Sequence, residues 1–142
     1  MKILVINGPN LNMLGRREPN VYGSQTLDDI NKELAAFAAA RKCKAEFFQS
    51  NCEGAIIDKV QSAACDAIII NAGAYSHYSY AIHDALKARN LPAVEVHMTN
   101  IYTREGFRHE SVLSMAVRGV ICGFGADSYK LAVEALTMGE KV

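Results

Sequence analysis

Lys2-Ile3-Leu4-Val5-Ile6 is an apolar run that stops on an amide, Asn7, and the pattern returns in Ala67-Ile68-Ile69-Ile70 before Asn71 and in Ala93-Val94-Glu95-Val96 before His97. Runs this short and this apolar are strands buried on both faces, the environment of a parallel sheet covered by helices. In such a sheet ligands bind outside the carboxyl ends of the strands, so three polar endings mark one site. The segments that follow carry most of the reactive side chains: Asn12, Arg17 and Tyr22 after the first run, Tyr75 and His77 after the second, Thr99, Arg104 and Arg108 after the third.

Outward from these runs the pattern alternates. It predicts strand Lys2 to Ile6, a helix from about Thr26 to Arg41, strand Lys44 to Gln49, helix Glu53 to Cys65, strand Ala67 to Ile70, helix Tyr78 to Arg89 and strand Ala93 to Val96. A short helical piece near Glu110 to Ala116, strand Gly119 to Cys122 and a helix from Asp127 to Met138 complete the series. Five strands alternating with helices predict an α/β flavodoxin-like three-layer fold, a single domain over 1–142 with a five-stranded parallel sheet of order 2-1-3-4-5. In the first helix Ser24 and Thr26 are candidate caps, and Leu27, Ile30, Leu34 and Phe37 recur at helical spacing.

Half of the 142 residues are hydrophobic, and fifteen basic residues balance fifteen acidic ones. Such a chain carries no electrostatic footprint for nucleic acid or for an anionic membrane. No apolar run approaches the ~20 residues of a membrane span, and no secretory pattern precedes the first strand. The expectation is a soluble cytoplasmic protein whose partner is a small molecule or another copy of itself. The four cysteines, Cys43, Cys52, Cys65 and Cys122, form no C-x-x-C pair and read as reduced, structural thiols. His77, His83 and His97 make no tight cluster with carboxylates or thiols, so no metal site is expected.

The stretch from Gly8 to Gly23 is far longer than the two to six residues that usually join a strand to a helix, and Gly15, Pro19 and Gly23 give it the composition of a hinged lid. A free phenol has a pKa near 10, so only about one in a thousand is ionised at pH 7, and each unit by which a cation lowers that value is worth about 1.4 kcal/mol. Tyr22 beside a lid arginine is therefore a candidate general base. Arg16 and Arg17 compete for that partnership on spacing alone.

After the second run, Asn71-Ala72-Gly73-Ala74-Tyr75-Ser76-His77 offers small residues for close backbone approach and then enters a helix whose core stripe is Ala81, Ile82, Ala85 and Leu86. His77 and Asp84, seven apart, fall on a different face, where Asp84 also reads as an ordinary solvated acid. His97, with Glu95 or Asn100 to orient it, is a candidate acid or a structural histidine. Arg104 and Arg108 flank Glu105, as an ion-pair network or as clamps for an oxygen-rich substrate. His83 and His109 read as surface residues. Gly123-Phe124-Gly125-Ala126 is half a dinucleotide fingerprint, equally explained by a tight turn.

Taken together, Gly8-Pro9-Asn10-Leu11-Asn12 through Arg17-Glu18-Pro19 and Tyr22-Gly23, then Gly73-Ala74-Tyr75-Ser76-His77, Glu95-Val96-His97 and Arg104-Glu105-Gly106-Phe107-Arg108-His109 resemble type II 3-dehydroquinate dehydratase. The likeness runs in order from the first strand to Gly123-Phe124-Gly125-Ala126. It implies reversible loss of water from 3-dehydroquinate to give 3-dehydroshikimate, a step of the shikimate route to aromatic amino acids. By the resemblance Tyr22 is the base at C2, Arg17 the arginine that favours its phenolate, His97 the acid for the C1 hydroxyl, and Asn12 the holder of a water at the enolate. Asn71, Met98 and Thr99 are implied at the substrate carboxylate, His77 and Arg108 at the ring hydroxyls, Arg104 as the lid arginine and Glu95 as support for His97. Asp84 matches an acid that reaches a neighbouring subunit's site in a trimer, four of which make a dodecamer. This chain departs from the family pattern at Ala72, where proline is frequent, and at Met98, Thr99, Gly106 and Cys52.

The chemistry agrees with that resemblance. Taking a proton from beside a ketone builds enolate charge, which is stabilised directly or diverted through a covalent imine. The imine needs a lysine, and none stands at a predicted strand carboxyl end, so the expectation is an enolate route with base and acid and no cofactor. The rival is a flavodoxin-like nucleotide- or phosphate-binding module in which Tyr75 or Tyr78 stacks on a ring.

Overall fold

The computed structural model describes residues 1–16, 20 and 23–138. Its strands are β1 (Lys2–Asn7), β2 (Lys44–Gln49), β3 (Ala67–Asn71), β4 (Ala93–His97) and β5 (Gly119–Cys122). The longer helices are α1 (Leu27–Ala39), α2 (Glu53–Ser62), α3 (Tyr80–Arg89) and α4 (Asp127–Thr137). All strand pairs are parallel, in the order β2-β1-β3-β4-β5 expected of a flavodoxin-like sheet.

Side chains alternate across a strand, and that alternation sorts the core into two layers. Ile3 and Val5 of β1, Ile69 of β3, and Val94 and Val96 of β4 face Ile30 and Leu34 of α1 and Tyr129 and Val133 of α4. Leu4 and Ile6, with Ile68 and Ile70, face Ile56 and Val60 of α2 and Ile82 and Leu86 of α3. Each fully buried side chain of this kind contributes roughly 1.5–3 kcal/mol, so the three central strands anchor the fold. Among the described residues no helix is long and apolar enough to cross a membrane.

The strands β1, β3 and β4 each run one residue further than their apolar runs, so Asn7 pairs with Asn71 and His97 with Cys122 inside the ladder. The polar endings are thus held by backbone hydrogen bonds. At the start of α1, Thr26 is the residue that caps: its hydroxyl accepts from the Asp29 N–H (3.1 Å), and the Asp29 carboxylate accepts from the Thr26 N–H (3.1 Å). Helix α2 ends at Ser62, short of Cys65, because the chain turns extended at Ala63 and the Asp66 N–H bonds to the Lys2 carbonyl (2.8 Å) on the way into β3.

Helix α3 begins at Tyr80, not Tyr78, since the Ser79 hydroxyl accepts from the Ile82 N–H (3.1 Å), while Gly73–His77 winds as a 3-10 turn. His77 and Asp84 therefore do not share a helix, and their seven-residue spacing has no geometric meaning. Ala81, expected in the core stripe, is exposed, leaving Ile82, Ala85 and Leu86 buried. The helical piece expected at Glu110 to Ala116 contracts to a 3-10 turn at Ser114–Ala116 behind the fully buried Leu113.

Gly8, just past β1, touches the segment that follows β3. Its N–H bonds to the Asn71 carbonyl (2.8 Å), and a Cβ placed on it would lie 2.4 Å from the Ala72 carbonyl oxygen. That oxygen is backbone and cannot step aside. Gly8→Ala is expected to destabilise the protein by about 1–3 kcal/mol, read as a lower urea midpoint with an unchanged m-value.

Candidate active site

The carboxyl ends of β1, β3 and β4 open onto a cleft whose walls include Asn10, Asn71, His77, His97, Thr99, Arg104 and Arg108. Two arginines and two histidines stand among its described lining residues, with no lysine and no acid. Such a lining favours an anionic, oxygen-rich ligand.

Strand parity decides what holds each polar ending. Asn7 and Asn71 continue the Ile3/Val5 and Ala67/Ile69 series, so both turn toward α4 and meet Tyr129. The Tyr129 hydroxyl donates to Asn7 Oδ1 and accepts from Asn71 Nδ2 (2.9 Å), while Asn71 Oδ1 accepts from the Gly73 N–H (3.2 Å). Burial pushes the Tyr129 phenol well above its usual range, and its hydrogen bond with Asn71 only partly offsets this.

Glu95 and His97 have the opposite parity and face the layer that holds Leu113. Glu95 is fully buried, and its carboxylate accepts from His97 Nε2 and from the Ser114 hydroxyl (2.8 Å). Burial opposes its charge, but the His97 hydrogen bond and charge and the Ser111 and Ser114 hydroxyls outweigh it, holding the carboxyl below the usual 4.5. With Nε2–H committed to Glu95, Nδ1 is the His97 atom left to gain or lose a proton at the cleft.

A carboxylate held lower in the folded than in the unfolded chain supports folding fully above the unfolded value and loses that support as pH falls toward the folded one. Below about pH 4.5 wild type is therefore expected to lose stability faster than Glu95→Gln, which thermal unfolding of the two proteins across that range would reveal.

Across the cleft His77 lies nearly parallel to His97, centroids 6.3 Å apart, and edge-on to Phe107 at 6.2 Å. His77 Nδ1 is 2.7 Å from the Glu110 carbonyl, which only accepts, so Nδ1 carries the proton and Nε2 of the neutral ring is an acceptor. Arg108 Nε donates to the Glu105 carboxylate, and its guanidinium lies 4.7 Å from the Phe107 centroid. The ion pair read as one alternative thus coexists with a place in the cleft wall. His109 donates through Nε2 to the Arg104 carbonyl (2.9 Å), which shapes the arginine segment.

The model of the dehydroquinase class II family matches residues 1–137 of this chain. The chain belongs to that family. It is 57% identical over 138 residues to a 3-dehydroquinate dehydratase of Caldicellulosiruptor bescii, covering 95% of each chain. A homologue of the same description from Prochlorococcus marinus is 54% identical, covering 96% of this chain and 95% of that one. The crystal structure of the type II dehydroquinase of Butyrivibrio crossotus superimposes with a TM-score of 0.94 at 47% identity, over 96% of this chain and 97% of that one. As a dehydroquinase-family member the protein is a hydro-lyase.

Not every residue expected of a dehydroquinase lies in the described cleft. Tyr22 and Arg17 lie outside the described residues. Asn12 is exposed beside the cleft; its Oδ1 lies 3.5 Å from Gln49 Nε2, and Asn10 and Leu11 line the wall instead. Asp84 is exposed on α3, its carboxylate 3.1 Å from His83 Nδ1, and it does not meet the cleft of its own chain. His83 is largely covered there, contrary to its reading as a surface residue. Met98, Thr99 and Arg104 all line the cleft.

Sequence reasoning missed Tyr129, Ser111, Ser114 and Asn51. Asn51 Oδ1 accepts from the Asn10 N–H (3.0 Å), and its carbonyl accepts from the Tyr75 hydroxyl (2.7 Å), which ties down the start of the first loop. That bond and edge-on packing against Tyr78 hold Tyr75, one of the two tyrosines the nucleotide-binding reading offers for stacking; the other, Tyr78, is exposed.

Proposed function

We propose that this cleft performs the reversible elimination of water from 3-dehydroquinate to 3-dehydroshikimate through an enolate, with Tyr22 as base and His97 as acid. The Tyr22 phenolate, favoured by Arg17, takes the C2 proton; the C2–H pair forms the enolate, whose oxygen is steadied by a water held at Asn12. The enolate re-forms the ketone as the C1–O bond breaks, and His97 Nδ1–H delivers the proton that lets hydroxide leave as water. Solvent then takes the proton from Tyr22 and returns one to His97. No cofactor enters this sequence.

In this reading the substrate carboxylate lies against Asn71, the backbone amides of Met98 and Thr99, and the Thr99 hydroxyl. His77 and Arg108 take the ring hydroxyls, and Arg104 closes over them. Asp84 serves the site of a neighbouring subunit in a trimer, and four trimers work as a cytoplasmic dodecamer.

The observation that carries the reading is the buried Glu95–His97 pair beneath a cleft lined by arginines with no lysine among its described residues. A buried carboxylate on Nε2 fixes the ring with Nδ1 left for the cleft, and the arginines suit an anionic, hydroxyl-rich ring. Incubating the purified protein with 3-dehydroquinate is expected to raise the ultraviolet band of a conjugated enone. A flat trace from folded protein would overturn the assignment.

A further inference from the structure

We propose that Tyr129 is a positioning residue for the cleft: through Asn7 it locks the Asn71 amide so that an N–H, and not the carbonyl oxygen, is offered to the ligand. The inference deepens the reading of Asn71 as a carboxylate contact and rests on it.

An asparagine amide can flip, and the two orientations offer opposite chemistry. Here the Gly73 N–H sets the orientation, and the Tyr129 hydroxyl, with its proton on Asn7 Oδ1, matches it. At one end the Gly73 N–H, which can only donate, lies 3.2 Å from Asn71 Oδ1 and claims it as the acceptor. At the other, Asn71 Nδ2 lies 2.9 Å from the Tyr129 hydroxyl, whose single proton goes to Asn7 Oδ1. If the Tyr129 proton turned instead to Asn71, the Asn71 oxygen would have to face it. The Asn71 NH2 would then meet the Gly73 N–H, donor against donor.

Asn7, Asn71 and Tyr129 are all buried, so water does not compete for these bonds. The phenol, pushed up by burial, stays neutral and keeps its proton. One Nδ2–H of Asn71 is used by Tyr129; the other has no partner among the described residues, and Asn71 lines the cleft. A fixed, dry N–H at the end of β3 selects an oxygen acceptor and disfavours a donor at that position.

The test is a double-mutant cycle on turnover of 3-dehydroquinate. Tyr129→Phe keeps the ring and removes the relay, and Asn71→Ala removes its output. Each single variant is expected to raise KM by about tenfold, in the range of one hydrogen bond to a charged group, with kcat changed less than KM. Combined, they are expected to raise KM no further than Asn71→Ala alone.

If Tyr129→Phe multiplies KM equally in both backgrounds, or leaves KM at the wild-type value, the proposal is overturned. Asn7→Ala reads the same relay from its other end, should Tyr129→Phe not fold, and must also be silent in the Asn71→Ala background. Wild type that fails to turn over 3-dehydroquinate would sink the functional reading. Wild type that turns it over while the cycle is additive would sink the positioning role alone.

Discussion

Tyr22→Phe is expected to bind 3-dehydroquinate with nearly wild-type affinity and to convert it about a thousandfold more slowly, in line with the loss of a general base. The ring remains and only the oxygen that receives the C2 proton in the proposed mechanism is gone, so on that proposal the loss belongs in kcat and not in KM. A proton beside a ketone is too weakly acidic for water at neutral pH to replace a positioned phenolate. Steady-state kinetics on the two proteins checks this, with inhibitor titration to confirm that the site is intact. A variant within tenfold of wild type would assign the base elsewhere.

His97→Gln is expected to lower kcat by about 10²–10⁴, the usual contribution of one acid–base group. Glutamine is the informative choice because its amide can still donate to Glu95, so the buried carboxylate keeps a partner. Removing that partner outright would leave an unpaired buried charge and confound chemistry with stability. The variant should retain near wild-type thermal stability while losing turnover. If it turns over within tenfold of wild type, His97 orients the site and the proton comes from another group.

Much of this arrangement was legible in the chain because burial on both faces of a strand leaves a run that is apolar, or in β4 apolar but for Glu95. The residues that end the runs of β3 and β4 stand at the cleft, while Asn7 at the end of β1 lies behind it against Tyr129. Asn71 and His97 were found that way, and both line the cleft. Helix ends were read less well. Neither glycine nor proline marks the turn at Ala63, and it is the demand of β3 for its place beside β1 that ends α2 there. The shared face for His77 and Asp84 failed for a related reason: helical spacing was carried across Ser79, whose cap starts a new helix axis.

The sequence by itself determined the parallel sheet, its strand order and the end at which the chemistry gathers, since these follow from apolar runs and from the short list of ways to cover them with helices. The register between β3 and β4, which only the folded sheet supplies, turned Asn71 and His97 to opposite faces. Only the tertiary structure decided what each then meets. Tyr129 stands 122 positions from Asn7, and Ser114 is 19 from Glu95. No local pattern encodes those pairings, because they arise where helix and loop dock on the sheet, and there buried polar groups must find partners.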